Sequence, residues 1–244
     1  MQFVRWGYSF YAAFLFIILF LILLPFFCVP IIFKSRYQWT GVLNRIWAKI
    51  FFGLLFFKHK VELRFTPSSK GQYIFCPNHF SYLDIPTMGL NPINSIFVGK
   101  NDMEKVPLFG WMYRKLHITV DRNSLKSKYS TIINSLKAVD EGKNLMIFPE
   151  GGMLTTEPPK MVRFKDGAFR VAIEKQIPIV PVTIPFNWII LPDGSWTPKR
   201  RLLKVIYHEP LETKGLTLED VPALRQKTYE IIDQELKLQL DENR

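Results

Sequence analysis

The strongest constraint on the fold is a long N-terminal run, from Trp6 to Phe33, in which no residue is charged. The run exceeds the roughly 20 apolar residues that cross a bilayer, and it is too long for the apolar core of a secretory signal. Because backbone polar groups must pair internally in an apolar medium, the run is predicted to be helical. Pro25 and Pro30 predict a kink or a helix end near Leu24. The segment is therefore predicted to be embedded in a membrane.

A second apolar stretch runs from Val42 to Phe57 and carries Arg45 and Lys49 four residues apart. This spacing puts both cations on one helical face, which is typical of a helix at a membrane surface; a core helix of the following domain is the alternative. Residues 1–58 are therefore predicted to form a membrane anchor, either one transmembrane helix or a hairpin of two membrane-embedded helices. Residues 59–244 are left for one folded domain.

The chain is strongly basic, with a formal net charge of +11, and this predicts an anionic partner. Nucleic acid is disfavoured because the sequence has no zinc-ligand spacing and no RNA-binding motif. An anionic phospholipid membrane or a phosphorylated substrate fits better. Before the apolar run only Arg5 and the amino terminus are cationic, so the positive-inside bias places the domain on the cytoplasmic side. The cations that follow the run are Lys34, Arg36, Arg45, Lys49, Lys58 and Lys60.

In the rest of the chain, short apolar runs alternate with stretches of helical period. This alternation predicts an α/β fold with a mixed, mostly parallel sheet flanked by helices. Strands are predicted at 61–65, 73–76, 95–99, 117–120, 145–148, 179–184 and 202–208. Helices are predicted at 84–90, 107–112, 126–141, 167–175 and 221–240. The helix at 107–112 is very apolar, which makes it a candidate for membrane contact or for lining an apolar groove.

A polar stretch, Pro77 to Asp84, follows the strand predicted at 73–76 and carries His79 and Asp84. On a helix, residues five apart lie about 140° apart, so these side chains meet only if the chain folds back in a strand–loop–helix turn. Ser81 and Asp84 also fit the S-x-x-D pattern of a helix start, with Ser81 as the N-cap. The residues therefore leave two hypotheses open, a catalytic pair and a helix cap.

Two further polar clusters follow predicted strands, Asp121-Arg122 and the turn from Phe148 to Gly152. Ligands of such sheets bind beyond the carboxyl ends of the strands, so the three clusters are predicted to converge on one cleft. The two glycines of the turn would let the backbone approach a ligand closely and would offer N–H groups. Taken singly, Glu150 fits a turn carboxylate and Arg122 a surface cation. Their combination with His79 indicates a functional site.

Five blocks of the sequence, taken in order, resemble those of the glycerolipid acyltransferases, beginning with the H-x4-D block of His79 and Asp84. The resemblance covers about Tyr73 to Ile184. Each block alone is a weak signal, whereas five in the same order are a strong one. The type that the chain is most similar to is the 1-acylglycerol-3-phosphate acyltransferase of the bacterial phospholipid pathway. The other four blocks are Ile118–Arg122, F-P-E-G at Phe148–Gly151, F-K-x-G-A at Phe164–Ala168, and Val180–Val182.

The resemblance implies transfer of an acyl group from a thioester to the free hydroxyl of a lysophospholipid. The donor, acyl-CoA or acyl carrier protein, would be a co-substrate, and neither a cofactor nor a metal is implied. Residues 59–244 would be the acyltransferase domain, on the cytoplasmic side of the cell inner membrane. No serine or cysteine nucleophile is needed, because the acceptor hydroxyl attacks directly.

The resemblance also implies roles for individual residues. His79 would be the general base, and Asp84 would hold its imidazole in the right tautomer. Glu150 would bind the polar backbone of the acceptor, and Arg122 would bind its phosphate. An N–H group of the turn at Gly151 is a candidate donor to the developing oxyanion.

One block departs from the family pattern F-P-E-G-T-R-S, because Gly152-Met153-Leu154 stand in place of Thr-Arg-Ser. In the family this arginine lies near the substrate phosphate, and no cation occupies its position here. Either Lys100, Arg122, Arg163 or Lys165 supplies the charge, or the acceptor carries a different head group.

Three other functions compete with this interpretation. One is acyl transfer to another lysolipid or to an amino-acid-derived lipid. Another is thioester hydrolysis, since the same base would serve water as well as an alcohol. The third is a non-catalytic membrane-binding module, which the intact His79, Asp84 and Glu150 argue against.

Overall fold

Seven strands form one sheet in the part of the chain that the computed structural model describes, residues 2–100, 104–121 and 124–242. The strands are β1 (His59–Leu63), β2 (Ile74–Pro77), β3 (Ser95–Lys100), β4 (Ile118–Val120), β5 (Asn144–Ile147), β6 (Ile179–Thr183) and β7 (Leu203–Tyr207). Their order is β1-β7-β6-β2-β5-β3-β4. All neighbouring strands are parallel except β6 and β7, which are antiparallel. The predicted mixed, mostly parallel sheet is confirmed.

Helices cover both faces of this sheet. They are α1 (Gln2–Ile32), α2 (Gln38–Leu54), α3 (Asp84–Met88), α4 (Phe109–Leu116), α5 (Leu125–Asp140), α6 (Gly167–Lys175), α7 (Asn187–Ile190) and α8 (Val221–Asp241). Alternate residues of a strand point to opposite faces, so Ile74 and Cys76 of β2 pack in the layer that holds α5, α6 and α8. Phe75 packs on the other side, against Met88 of α3. The layer on that side also contains α1, α2 and α4.

The two N-terminal helices form an antiparallel hairpin that packs on the domain. Near the start of α1, the Tyr8 hydroxyl donates to the Leu55 carbonyl just beyond α2, at 2.8 Å. Halfway along, Phe16 meets Trp47 edge-on, with ring centroids 4.8 Å apart. Farther along, Phe20 contacts Phe109 of α4. These contacts arrange α1 and α2 as a hairpin.

Of the kink or helix end predicted near Leu24, the helix end is wrong, because α1 continues through Pro25 and Pro30 to Ile32. A helix end at Leu24 would leave further backbone groups without partners in apolar surroundings. The second half also packs on the domain, since Phe27 is buried together with Met112 of α4. Within the described residues, α1 is the only helix whose length and composition suit a membrane span.

Helix α2 has one buried face and one exposed face. Its inner face is part of the domain core, where Ala48 and Phe52 are fully buried. Its outer face exposes a large apolar side chain at every fourth position. These outer residues are Val42, Ile46, Ile50 and Leu54.

Arg45 joins α2 to the turn between α3 and β3 instead of facing solvent as Lys49 does. Its Nε donates to the Asn91 carbonyl at 2.8 Å, and its Nη2 donates to the Pro92 carbonyl at 2.8 Å and to Asn94 Oδ1 at 2.9 Å. The fork of the guanidinium is matched by three acceptors, which a lysine could not reach together.

We expect Arg45→Met to lower the free energy of unfolding by roughly 2 kcal/mol, because three acceptors lose a charged donor. Lys49→Met is the matched control, four residues along the same helix on the exposed side, and its effect should stay within about 0.5 kcal/mol. Denaturant unfolding in detergent measures both. Equal losses would show that the Arg45 contacts contribute nothing specific.

Candidate active site

The loop between β2 and α3 folds back on itself, and Asp84 closes it. The imidazole Nδ1 of His79 lies 3.0 Å from Asp84 Oδ2. The same oxygen accepts the backbone N–H groups of Phe80, at 2.8 Å, and Ser81, at 2.9 Å. The carboxylate is 1% exposed. The required strand–loop–helix turn is present, and the two side chains that a helix would separate are in contact.

The helix-cap hypothesis is only partly met by this turn. Asp84 Oδ2 accepts the N–H of Ser81, but Ser81 Oγ accepts the N–H of Leu83 at 3.1 Å and not that of Asp84. The N-cap of α3 is Leu83, and no side chain caps the helix. The Asp84 carboxylate therefore serves the loop and the contact with His79 more than a helix cap.

A fourth strand exit, that of β6, supplies a further partner of Asp84. Asn187 opens α7 just after β6, and its Nδ2 donates to Asp84 Oδ1 at 3.0 Å and to Thr87 Oγ1 at 3.0 Å. Asn187 is 1% exposed, and its Oδ1 has no hydrogen-bond partner among the described residues. A polar residue directly after a strand is the signal that could have identified it, as it did for the other clusters.

The side chain of Asn78, just after β2, bonds to the backbone just after β6. Its Oδ1 accepts the N–H of Ile184 at 2.7 Å, and its Nδ2 donates to the Ile184 carbonyl at 3.1 Å. Asn78 is fully buried. The residue before His79 is thus held against the segment that delivers Asn187.

The contact with Asp84 determines which nitrogen of His79 can act as a base. An ionised carboxylate only accepts hydrogen bonds, so Nδ1 carries the proton and Nε2 carries the lone pair. Phe148 stacks on the ring, with centroids 4.1 Å apart and planes 26° apart. The imidazole keeps 9% of its surface exposed. A hydroxyl that reaches Nε2 can transfer its proton to a ring whose orientation is already set.

Glu150 lies beneath the His79 loop, where it cannot contact a lipid acceptor substrate. Its Oε1 accepts the backbone N–H of His79 at 2.7 Å, and its Oε2 accepts that of Val162 at 3.2 Å. The side chain is 0% exposed, so the expectation that it binds the acceptor's polar backbone conflicts with its position. Glu150 instead joins the exit of β5 to the exit of β2 and positions the histidine.

Burial raises the pKa of Glu150 to about 7, because the ionised carboxylate is removed from water. The N–H groups of His79 and Val162 oppose this rise in pKa, and the charge of Asp84 adds to it.

The turn at Gly151 holds a lysine instead of offering an N–H group. Gly151 has a φ of +77°, and its N–H already donates to the Phe148 carbonyl at 3.0 Å, so it is not available to an oxyanion. A Cβ atom at this position would overlap the Nζ and Cε atoms of Lys165. Glycine is therefore favoured for its backbone angle, and a side chain here would displace the Lys165 ammonium from the turn.

Two cavities lie on opposite faces of the sheet. One, of about 250 Å³, lies between the sheet and the α5–α6 layer, and Phe148, which stacks on His79, forms part of its wall. Its floor is apolar, with Val98, Val120, Ile132 and Ile147, and Lys128 and Lys165 add two cations.

The other cavity, of about 90 Å³, lies among α1, α2, α3 and α4 and is almost wholly apolar. Met112 of α4 and Phe16 of α1 line it. The apolar segment predicted at 107–112 therefore does line an apolar groove, although its helix runs from Phe109 to Leu116.

Two other residues, Arg122 and Lys100, are predicted to bind the substrate. Arg122 lies outside the described residues. Lys100 is the last residue of β3 and is paired with Val120 of β4, but its side chain is not described. Among the described residues, no three His, Cys, Asp or Glu side chains are grouped in a way that could hold a metal ion.

The chain is similar to several known acyltransferases. A family model described as Acyltransferase matches residues 58–185. The 1-acyl-sn-glycerol-3-phosphate acyltransferase of Saccharomyces cerevisiae is 30% identical over 173 residues, which are 69% of this chain and 57% of that protein. The protein of the same name from Haemophilus influenzae is 25% identical over 211 residues, 83% of each chain.

Other curated relatives are longer than this chain. The chloroplastic 1-acyl-sn-glycerol-3-phosphate acyltransferase BAT2 of Brassica napus is 27% identical over 73% of this chain and 52% of its own length. The chain thus spans about half the length of the first of these relatives. The crystal structure of the 1-acyl-sn-glycerophosphate acyltransferase PlsC from Thermotoga maritima superposes with a TM-score of 0.72, at 22% identity over 96% of both chains. At that identity the similarity establishes the fold.

We expect the pH dependence of stability to reveal Glu150. A carboxyl whose native pKa is raised from 4.5 to about 7 stabilises the native state fully below pH 4.5, and the stabilisation is lost as pH rises through 7. Wild type should therefore lose roughly 2 kcal/mol between pH 5 and pH 8 that Glu150→Gln does not lose. The measurement is the free energy of unfolding of both proteins across this pH range. Parallel pH profiles for the two proteins would contradict the prediction.

Proposed function

The chain belongs to the acyltransferase family, and we propose that it transfers a fatty acyl group from a thioester to the free hydroxyl of 1-acylglycerol 3-phosphate, which yields phosphatidic acid. The observation that carries the proposal is the contact between His79 Nδ1 and Asp84 Oδ2 at 3.0 Å, in the first motif of the family resemblance. The names of the relatives support the choice of acceptor.

In the proposed reaction, the acceptor oxygen bonds to the thioester carbonyl carbon as its proton passes to His79 Nε2. Asp84 stabilises the imidazolium that forms, without taking its proton. When the tetrahedral intermediate collapses, the C–S bond breaks and the proton on Nε2 passes to the leaving thiolate. Asn187 and the turn N–H groups fix the carboxylate through this cycle, so the base needs no reorientation between the two proton transfers.

The two cavities offer separate places for the apolar and anionic parts of the substrates. The cavity lined by Phe16 and Met112 suits part of an acyl chain. The cavity with Lys128 and Lys165 suits the phosphate-bearing end of the acceptor, because a phosphate is stabilised by cations in partly dry surroundings. Lys165 would thereby provide charge that position 153 lacks, alongside Lys100 and Arg122; the family resemblance assigns phosphate binding to Arg122.

The hairpin is proposed to lie along a membrane surface instead of crossing it. At about 1.5 Å per residue, α1 is about 46 Å long, yet it contacts the domain near both ends, through Ser9 and Trp196 near one end and through Phe27 and Met112 near the other. A helix that spans the bilayer would have to leave the domain at one end. The exposed apolar faces of α1 and α2 would enter one leaflet of an anionic membrane, on the cytoplasmic side of the cell inner membrane in a bacterial cell.

We expect His79→Ala to reduce acyl transfer by at least about 10²-fold, the low end of general-base effects. The protein should remain folded, because the backbone N–H that Glu150 accepts is still present. The matched control is His59→Ala, an exposed histidine at the start of β1. Product formation from a labelled acyl thioester, with thermal unfolding in parallel, measures both. Near-normal transfer by a folded His79→Ala protein would rule out the mechanism, and release of free fatty acid without an acceptor would indicate a hydrolase.

We expect Lys165→Met to raise the KM for lysophosphatidate about tenfold or more, because a charge-assisted contact to phosphate is worth about 1.5–3 kcal/mol. The KM for the acyl thioester should change little. Lys126→Met, at the exposed start of α5, is the control for loss of one positive charge. Acceptor kinetics are compared on lysophosphatidate and on a lysolipid without a phosphomonoester. Equal losses on both acceptors would show that Lys165 does not bind the phosphate, and would favour the alternative acceptor.

A further inference from the structure

The loop from Leu191 to Leu202, between α7 and β7, carries a cluster of exposed residues that the proposed reaction does not use. Trp196 is 75% exposed, and Lys199 and Arg200 are exposed beside it in sequence. An indole that is exposed to this degree, close to two cations, is uncommon on a surface that meets only water. It is the composition found where proteins meet the headgroup region of a bilayer.

This loop is joined to both ends of the segment that contains the hairpin. The Ser9 hydroxyl of α1 donates to the Trp196 carbonyl. At the end of the loop, the N–H of Leu203 donates to the Lys58 carbonyl at 3.0 Å. Phe56, which is 75% exposed, and Lys58 therefore lie at the same end of the molecule as the loop. We call the surface made by Phe56, Lys58, Trp196, Lys199 and Arg200 the basic–aromatic patch.

The basic–aromatic patch is also at the end of the sheet that holds His79. Strand β7 is antiparallel to β6, so it begins where β6 ends, and β6 ends beside β2. The loop is tied to the turn directly, because Ser81 Oγ donates to the Leu191 carbonyl at 2.6 Å. Asn187, at the start of α7 a few residues earlier, holds Asp84. One continuous segment thus runs from Asn187, which holds the carboxylate that orients His79, to the exposed Trp196.

We propose that the basic–aromatic patch is a second lipid-binding surface, which contacts anionic headgroups beside the hairpin. Trp196 and Phe56 would lie at headgroup depth, while Lys58, Lys199 and Arg200 would pair with the lipid charges. The exposed apolar face of α1 continues up to this surface, which favours a lipid over a protein partner. This inference rests on the proposed membrane association of the hairpin. It assigns to the patch the task of keeping the His79 turn at the surface from which a lipid acceptor arrives.

A fluorescent label that reports apolar surroundings tests the contact directly. The nitrobenzoxadiazole label is attached to Trp196→Cys, to Phe14→Cys on the exposed face of α1, and to Leu218→Cys, which is exposed beyond the other end of the sheet. All three carry Cys28→Ser, and Cys76 is buried. On phosphatidylglycerol-rich vesicles, we expect blue-shifted emission at positions 196 and 14 and none at 218.

The labelling separates the proposal for the basic–aromatic patch from the proposed membrane association of the hairpin. A shift at 14 without a shift at 196 overturns the patch and leaves the proposed membrane association of the hairpin intact. No shift at 14 or 196 overturns both. A shift at 218 as well as at 196 shows unspecific insertion and overturns the patch. The shift at 196 should be larger on anionic vesicles than on pure phosphatidylcholine, and equal shifts on the two would overturn the role of charge.

Charge reversal tests the consequence for activity. Each basic residue near an anionic surface contributes about fivefold to membrane affinity, so Lys199→Glu with Arg200→Glu should weaken binding to phosphatidylglycerol-rich vesicles at least about 25-fold. Transfer to acceptor in those vesicles should fall, while transfer to detergent-dispersed acceptor stays unchanged. The control is Lys214→Glu with Lys227→Glu, an equal change of charge on exposed residues away from the patch. Equal effects of the two double variants, or an equal loss in detergent, would overturn the proposal.

Discussion

The site depends on one buried carboxylate that satisfies four donors at once. The Asp84 carboxylate accepts hydrogen bonds from the His79 ring, from two backbone N–H groups of its own turn and from the side-chain amide of Asn187. A buried carboxylate without such partners would be costly, so one group stabilises the turn, the start of α3 and the direction of the imidazole. This is why a short motif can specify geometry: the group that orients the base is also the group that closes the loop carrying it.

Around this carboxylate, the sheet brings separate parts of the chain to one end. The exit of β5 contributes Glu150 beneath His79 and Phe148 against its ring, and the exit of β6 contributes Asn187. These residues have no charge or hydroxyl directed at a substrate. They act by restricting the histidine to one position, which lowers the reorganisation that proton transfer requires. The cavity with the two lysines shares Phe148 with the ring of His79, whereas the apolar cavity lies on the other face of the sheet.

Much of this arrangement could be predicted from the sequence, and the failures have physical causes. Apolar runs and helical periods locate the strands and helices, and the strand exits locate the His79–Asp84 turn. The direction of a side chain such as Glu150 could not be predicted, because a carboxylate after a strand can point into the loop below it or into the cleft. The fit of Lys165 against Gly151 and the choice of Asn187 depend on loops distant in sequence. The helix end predicted at the prolines of α1 is absent, and α1 still packs on α4 beyond Pro25, through Phe27.

The ring nitrogens of His79 offer the most direct test of the central claim, that Asp84 fixes the base. Nitrogen-15 NMR of histidine-labelled protein distinguishes the two neutral tautomers, and His117 provides an internal reference. The N–H of Phe97 donates to Nδ1 of His117, and burial lowers its pKa to about 3, so its neutral ring carries the proton on Nε2. For His79, identified by its loss in His79→Gln, the account predicts the opposite tautomer, with the proton on Nδ1. A neutral His79 ring with its proton on Nε2 would contradict the account, since Nε2 could then accept no proton from a substrate.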